Sequence, residues 1–171
     1  MKMSFQLAHN QDLSTLSTFV NRAYRGDTAR LGWTHEADLL DGTRVEESLL
    51  AEEKARGVQF VLARQKDELV GCYHFEMKDS QTAYVGMITV DPLRQGQGIG
   101  KDLLVDAMAR ARQLGAKVIN LTVMSERKEL IEYYKRRGFS FTGVRIDFMP
   151  DDARYGQPKR DLQLWEMSCP L

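Results

Sequence analysis

Arg94-Gln95-Gly96-Gln97-Gly98-Ile99-Gly100-Lys101 links an apolar run to an amphipathic one, and the other segments are ordered outward from it. Before it, Met87-Ile88-Thr89-Val90 is apolar and partly β-branched, the composition strands favour. Asp91-Pro92 ends that run, since proline has no ladder donor and biases its predecessor away from helix. After it, Ile99, Leu103, Leu104, Ala107, Ala111 and Leu114 recur at helical spacing. A strand, a glycine-rich turn and a helix N-terminus leave backbone N–H groups unpaired around one concave point. Such a point favours the phosphates of a ligand.

The spacing excludes two nucleotide motifs. A Walker loop needs glycine at 95 and Ser or Thr at 102, where Gln95 and Asp102 stand. A Rossmann fingerprint begun at Gly96 needs glycine at 101, where Lys101 stands. Gln95-x-x-Gly98-x-Gly100 resembles instead the Q/R-x-x-G-x-G/A pyrophosphate loop of the GNAT acetyltransferase superfamily. The resemblance implies that Gln95, Gly96, Gln97, Gly98, Ile99, Gly100 and Lys101 hold the diphosphate of acetyl-CoA as co-substrate, with Arg94 and Lys101 adding charge nearby. It also implies that Ile88, Thr89 and Val90 meet the coenzyme. A tight turn without a ligand is the alternative, but three alternate glycines exceed what one turn needs.

A second likeness lies downstream. Val118-Ile119-Asn120-Leu121-Thr122-Val123 reads as a buried strand, with Ser125 as the N-cap of a helix and Glu126 and Glu129 near its positive end. Leu130, Ile131 and Tyr134 share one face of that helix, and Gly138 ends it in a left-handed cap. Tyr133-Tyr134-Lys135-Arg136-Arg137-Gly138-Phe139 resembles the Y-x-x-x-G-F ending of the same superfamily. By that match Tyr134 takes the place of the tyrosine general acid beside the coenzyme sulfur, with Tyr133 as its packing neighbour. Read from spacing alone, Tyr134 is a core aromatic with a satisfied hydroxyl. Arg127 stands about where superfamily members often carry an asparagine.

With 171 residues, the chain suits a single domain with a core of its own, taken over 1–171. Lys plus Arg and Asp plus Glu number 24 each, so no overall field draws it to nucleic acid or an anionic membrane. No run reaches the length of a membrane span and the first residues lack the apolar stretch of a signal peptide, so a cytoplasmic protein is expected. Cys72 and Cys169 make neither a disulfide framework nor a zinc site, and His9, His35 and His74 are too scattered for metal ligands. No metal is expected. A homodimer, the commonest oligomer in general, stays open.

Phe5 to Ala8 reads as a first strand, and Leu13, Leu16, Phe19, Val20 and Tyr24 as one stripe of a first helix. An irregular stretch with Gly26, Gly32 and Gly42 precedes a helix from Val45 to Ala55. Val58 to Ala63 and Leu69 to Met77 form a hairpin over Lys66-Asp67-Glu68, and Ala83 to Val90 feeds the glycine loop. Strands near Phe139 to Val144 and Asp161 to Met167 flank an irregular loop from Met149 to Lys159. This order resembles the GNAT fold over nearly the whole chain. An α/β (α+β) domain is implied, with a mixed, mostly antiparallel sheet splayed at its middle and acetyl-CoA in the notch.

The resemblance makes the expected activity an N-acetyltransferase acting on a primary amine by direct attack in a ternary complex. An alkylammonium has a pKa of about 10.4, so a base must take its proton near pH 7. A backbone N–H at Ile88 to Val90 can hold the oxyanion. Proton transfer from a neutral Tyr134 (about 10) to the thiolate (about 8.5) is uphill by about 2 kcal/mol, which favours a hydrogen bond over full transfer. On the strand from Leu69 to Met77, Cys72, His74 and Glu76 face opposite to Tyr73, Phe75 and Met77. Glu76 is the first candidate base, or else an ordinary strand carboxylate. Trp33 and Glu36, with Asp38, are expected to wall the acceptor pocket, Trp33 as an apolar plate. Asp147, Asp151 and Asp152 beside Tyr155 form a further acidic group. These residues favour a small cationic amine, with a peptide amine also open. A non-catalytic acyl-CoA-binding sensor is the alternative function.

Overall fold

The computed structural model describes residues 2–150 and 152–171. In chain order the elements are β1 (Met3–Leu7), α1 (Leu13–Tyr24), α2 (Gly26–Ala29), β2 (Leu40–Asp41), α3 (Glu47–Ala55), β3 (Gln59–Gln65), β4 (Glu68–Met77) and β5 (Thr82–Val90). They continue with α4 (Ile99–Gln113), β6 (Val118–Met124), α5 (Lys128–Lys135), β7 (Ser140–Asp147), β8 (Gln157–Pro158) and β9 (Gln163–Pro170). Seven strands pair in the order β1-β3-β4-β5-β6-β9-β7, and β2 pairs with β8 apart from them.

Period-two alternation puts apolar side chains on both faces of the sheet, and each face is covered by helices. Tyr73, Phe75, Val85 and Leu121 pack with Ile99, Leu103, Leu104 and Ala107 of α4 and with Ile131 and Tyr134 of α5. On the other face Phe60, Leu62, Cys72 and Met87 pack with Leu13, Leu16, Phe19 and Val20 of α1 and Leu49 and Leu50 of α3. A large side chain fully buried in this way, such as Leu103, stabilises the fold by about 1.5–3 kcal/mol. The alternation read along β4 is thus the one the structure shows.

The sheet splays at its centre. All pairings are antiparallel except that of β5 with β6, which covers only Thr82 with Val118, Ala83 with Ile119 and Tyr84 with Asn120. Beyond those pairs β5 runs on to Val90 and β6 to Met124 without each other. A bulge explains the divergence. Between Cys72 and His74 of β4 the register jumps from Thr89 to Gly86, so β5 holds an extra residue there and bends. Met87 sits in the bulge with φ +49°, a strained conformation costing about 1–3 kcal/mol. Its side chain is buried against α1 and α3, which holds the backbone in place.

Two local expectations change. Ser125 is not the cap of α5: its N–H is taken by the Gln163 carbonyl of β9, and the helix starts three residues later with Arg127 in the cap position. The stretch before α3 and the loop from Met149 to Lys159, both expected to be irregular, contain the short α2 and β2 and the short β8 that pairs with β2. Gly138 does end α5, with φ +94°. No helix among the described residues is long and apolar enough to cross a membrane.

Candidate functional site

The notch between β5 and β6 opens into two cavities that share a border. The first, of about 400 Å³, is lined by Ile88, Thr89 and Val90 of β5, by Gln95, Gly96, Gly98, Ile99 and Gly100, and by Leu130, Tyr133 and Tyr134 of α5. Gly96 and Gly98 have φ of +83° and +85°, and Gly98 is the residue on which α4 starts. A Cβ on Gly100 would stand 2.8 Å from the Tyr133 hydroxyl, so this position has no room for a larger residue without a shift. The result is a stretch of exposed main chain at the N-terminus of a 15-residue helix, an electropositive end suited to phosphate. Gly98→Ala is expected to lower the unfolding free energy by about 1–2 kcal/mol, the cost of a left-handed L residue. Urea unfolding with an unchanged m-value checks it.

The side chains of the loop are turned to other tasks. Arg94 is ion-paired with Glu68. Gln95 Oε1 accepts the Trp33 N–H at 2.8 Å and so ties the loop to the segment after α2. Gln97 and Lys101 do not line the cavity. Backbone amides, rather than loop side chains, are what the cavity offers.

The second cavity, of about 230 Å³, lies on the α1–α3 side. Its polar lining includes Arg25, Glu36, Arg44, Glu53, His74, Tyr84, Thr122 and Tyr155, and its apolar lining includes Met124, Phe148 and Leu164. Tyr24, Ile88, Arg127, Leu130 and Tyr134 line both cavities. At this border the Tyr24 hydroxyl donates to the Ile88 carbonyl at 2.6 Å. The Tyr134 hydroxyl has no side-chain partner among the described residues, and burial raises its pKa well above the usual 10. Tyr134 is therefore a proton-bearing donor at every physiological pH.

A buried ionic network stiffens the second cavity. Arg25 Nη2 meets Glu36 Oε2 at 2.8 Å and Arg127 Nη1 meets Glu36 Oε1 at 3.3 Å. Arg25 also donates to the Thr43 and Tyr155 carbonyls, joining the end of α1 to two loops. Burial alone would raise the Glu36 carboxyl, but the charges of Arg127, Arg44 and Arg25 outweigh it and hold its pKa below 4.5. Glu53 is the opposite case. Burial raises its pKa above 4.5 despite a hydrogen bond from the Tyr155 hydroxyl at 3.2 Å. His74 is pushed down to about 3 by burial and Cys72 up to about 12, so the imidazole is neutral and the thiol protonated.

Several expectations about site residues need correcting. Glu76 faces the side read from the sequence, but it is ion-paired with Lys78 and lines a neighbouring surface pocket that shares only Glu53 and His74 with the second cavity. Glu36 does line the second cavity, yet Arg25 and Arg127 are already ion-paired with it, so it is not a free anchor for an amine. Trp33 is 49% exposed and lies 6.0 Å from the Tyr133 ring on the first cavity, not on the second. Asp38 is paired with Arg30, and Asp152 with Arg154, which also holds Glu52. Asp147 is exposed, and Asp151 lies outside the described residues. Sequence reading missed Arg25, Arg44 and Glu53, whose segments meet only through the topology.

The model of the acetyltransferase (GNAT) family matches residues 24–139, well over half of the chain. The chain belongs to the acetyltransferase (GNAT) family. An uncharacterized N-acetyltransferase of Bacillus subtilis is 32% identical over 82 residues, which cover 48% of this chain and 53% of the relative. The chain thus spans about half the length of that curated relative. The ribosomal-protein-S18-alanine N-acetyltransferase from Escherichia coli has a similar structure, with a TM-score of 0.72 at 17% identity over 99% of this chain and 94% of the other. A GNAT family acetyltransferase from Elizabethkingia anophelis, solved with acetyl-CoA bound, has a TM-score of 0.63 at 16% identity, covering 99% and 98%. These likenesses extend the GNAT fold across the chain.

Proposed function

We propose that residues 1–171 act as one N-acetyltransferase domain, moving the acetyl group of acetyl-CoA to the primary amine of a second substrate while both are bound. The observation that carries this reading is the shared border of the two cavities. One cavity has the main-chain cradle for a diphosphate, the other has polar groups for an acceptor, and Ile88 and Tyr134 line both. The acceptor is a small-molecule or peptide amine.

In this reading Gly96 to Gly100 and the first turn of α4 hold the diphosphate, and Ile88 to Val90 lie along the pantetheine arm. A main-chain N–H at Ile88 to Val90 donates to the acetyl oxygen as negative charge grows there. Glu53 takes the acceptor's ammonium proton, directly or through water, so that the nitrogen lone pair is free. The N–C bond forms, the C–S bond breaks and its electron pair goes to sulfur, where the Tyr134 hydroxyl donates a hydrogen bond; the second proton on nitrogen passes through water to the thiolate, leaving a neutral amide and CoA thiol. The raised pKa of Tyr134 supports donation rather than full proton transfer, since transfer becomes more uphill than solution values imply. A covalent acetyl-cysteine is disfavoured, because Cys72 is buried and protonated and a thiol is a poor nucleophile.

Acetyl-CoA at about 100 times its dissociation constant is expected to stabilise the protein by about 2.7 kcal/mol, seen as a thermal shift. Release of CoA with a panel of amines then reports transfer. Tyr134→Phe is expected to cut kcat about tenfold to a hundredfold, the worth of a hydrogen bond to a charged group, with the acetyl-CoA shift retained. An unaltered kcat would remove Tyr134 from the chemistry.

A further inference from the structure

We propose that the acceptor is a compact, apolar amino acid whose carboxylate is held by Arg44 while its amine faces Ile88 and Tyr134. This rests on the acetyl-transfer reading and names the substrate class of that same site. Three guanidinium groups and two carboxylates line the second cavity: Arg25, Arg44 and Arg127 against Glu36 and Glu53. Glu36 is bound by Arg25 and Arg127 together. Arg44 is left over. Its backbone N–H is fixed by Asn21 Oδ1 at 2.7 Å, and its guanidinium lies 5.4 Å over the Tyr24 ring at the border of the cavities. Among the described residues its guanidinium has no carboxylate or carbonyl partner.

Arg127 adds a second guanidinium at the border of the two cavities. It is 7% exposed and its Nε is buried without a hydrogen-bond partner among the described residues. A ligand in the cavity therefore meets the charge of Arg127 rather than this N–H, and that charge favours an anion over a simple alkylammonium. The planar fork of Arg44 matches a carboxylate in bidentate fashion. A polyamine would set a further positive charge against Arg44, which Coulomb repulsion opposes. At the far end Met124, Phe148 and Leu164 offer an apolar wall for a side chain. The volume of about 230 Å³ falls below the roughly 300–1,000 Å³ of drug-sized sites, which favours a free amino acid over a peptide end.

The test compares each amino acid with its decarboxylated amine: leucine with 3-methylbutylamine, and methionine with 3-(methylthio)propylamine. The wild type should favour the acid in kcat/KM by about tenfold to a hundredfold. In Arg44→Ala that preference should fall to within about threefold, mainly through KM, with part of it kept in Arg44→Lys. Equal use of both partners by the wild type, a preference that survives in Arg44→Ala, or turnover of peptide N-termini alone would overturn the proposal. Acetyl-CoA thermal shifts on the same proteins separate the failures. No shift in the wild type sinks the acetyl-transfer reading itself, whereas a normal shift without acetylation of either amino acid sinks the substrate class alone.

Discussion

Glu53→Gln is expected to reduce kcat/KM about 10²–10⁴-fold, the range for a positioned general base, while leaving the acetyl-CoA thermal shift in place. Glu53 lines the second cavity and not the first, so in the proposed reaction its loss should touch the amine's proton and not acetyl-CoA binding. Burial raises its pKa above 4.5, bringing it nearer the operating pH, where a base combines ionisation with proton affinity. The carboxylate is the active form. Activity should therefore fall as pH drops through a value above 4.5, and this lower limb should vanish in Glu53→Gln. A second rise toward the pKa of the free amine, about 10, belongs to the substrate and should persist in the variant. His74, pushed down to about 3, is too weak a base to take over. A lower limb that persists in Glu53→Gln, or a loss below tenfold, would move the base elsewhere. Glu76→Gln should keep turnover near neutral pH and only move the lower limb to more acid values, since Glu76 lies outside both cavities yet its charge helps to raise the pKa of Glu53.

What could be read from the sequence was local. Gly96, Gly98 and Gly100 stand at fixed intervals between a β-branched run and an apolar helical stripe, so geometry and spacing carry the same message. Along β4 strict alternation separated Tyr73 and Phe75 from Cys72 and His74: the first two enter one core, while Cys72 enters the other and His74 packs edge-on to Phe60 of that core. Tyr24 shows where this stops. It shares the apolar stripe of α1, yet its hydroxyl reaches across to Ile88, 64 positions away. The bulge at Met87 had no signature, because a non-glycine residue in a left-handed conformation is held by its burial and not announced by its type. On the acceptor side the difficulty is charge pairing. A carboxylate such as Glu36 looks free until its partner Arg127 is found 91 positions on. Glu53 reads as one more surface acid of α3 until the Tyr155 loop folds over it.

Glu36→Gln is expected to destabilise the protein by about 3–5 kcal/mol, because it leaves Arg25 and Arg127 buried without their counter-charge. In a chain of this size that corresponds to a fall in Tm of about 6–20 °C. The pH dependence fixes the cause. The folded pKa of Glu36 lies below its unfolded value, so its ionised form contributes stability above about pH 4.5. That contribution is lost as pH falls through the folded pKa. Glutamine has no such titration, so the gap between wild type and variant should narrow on acidification. A lost packing contact would leave the gap constant. Arg25→Gln should couple to the change, the double variant losing less than the two single losses together. The same network holds the Thr43 and Tyr155 carbonyls through Arg25, and Tyr155 bonds Glu53. A folded Glu36→Gln protein should therefore also show a displaced lower limb in its pH–rate profile, a readout that stability alone does not move.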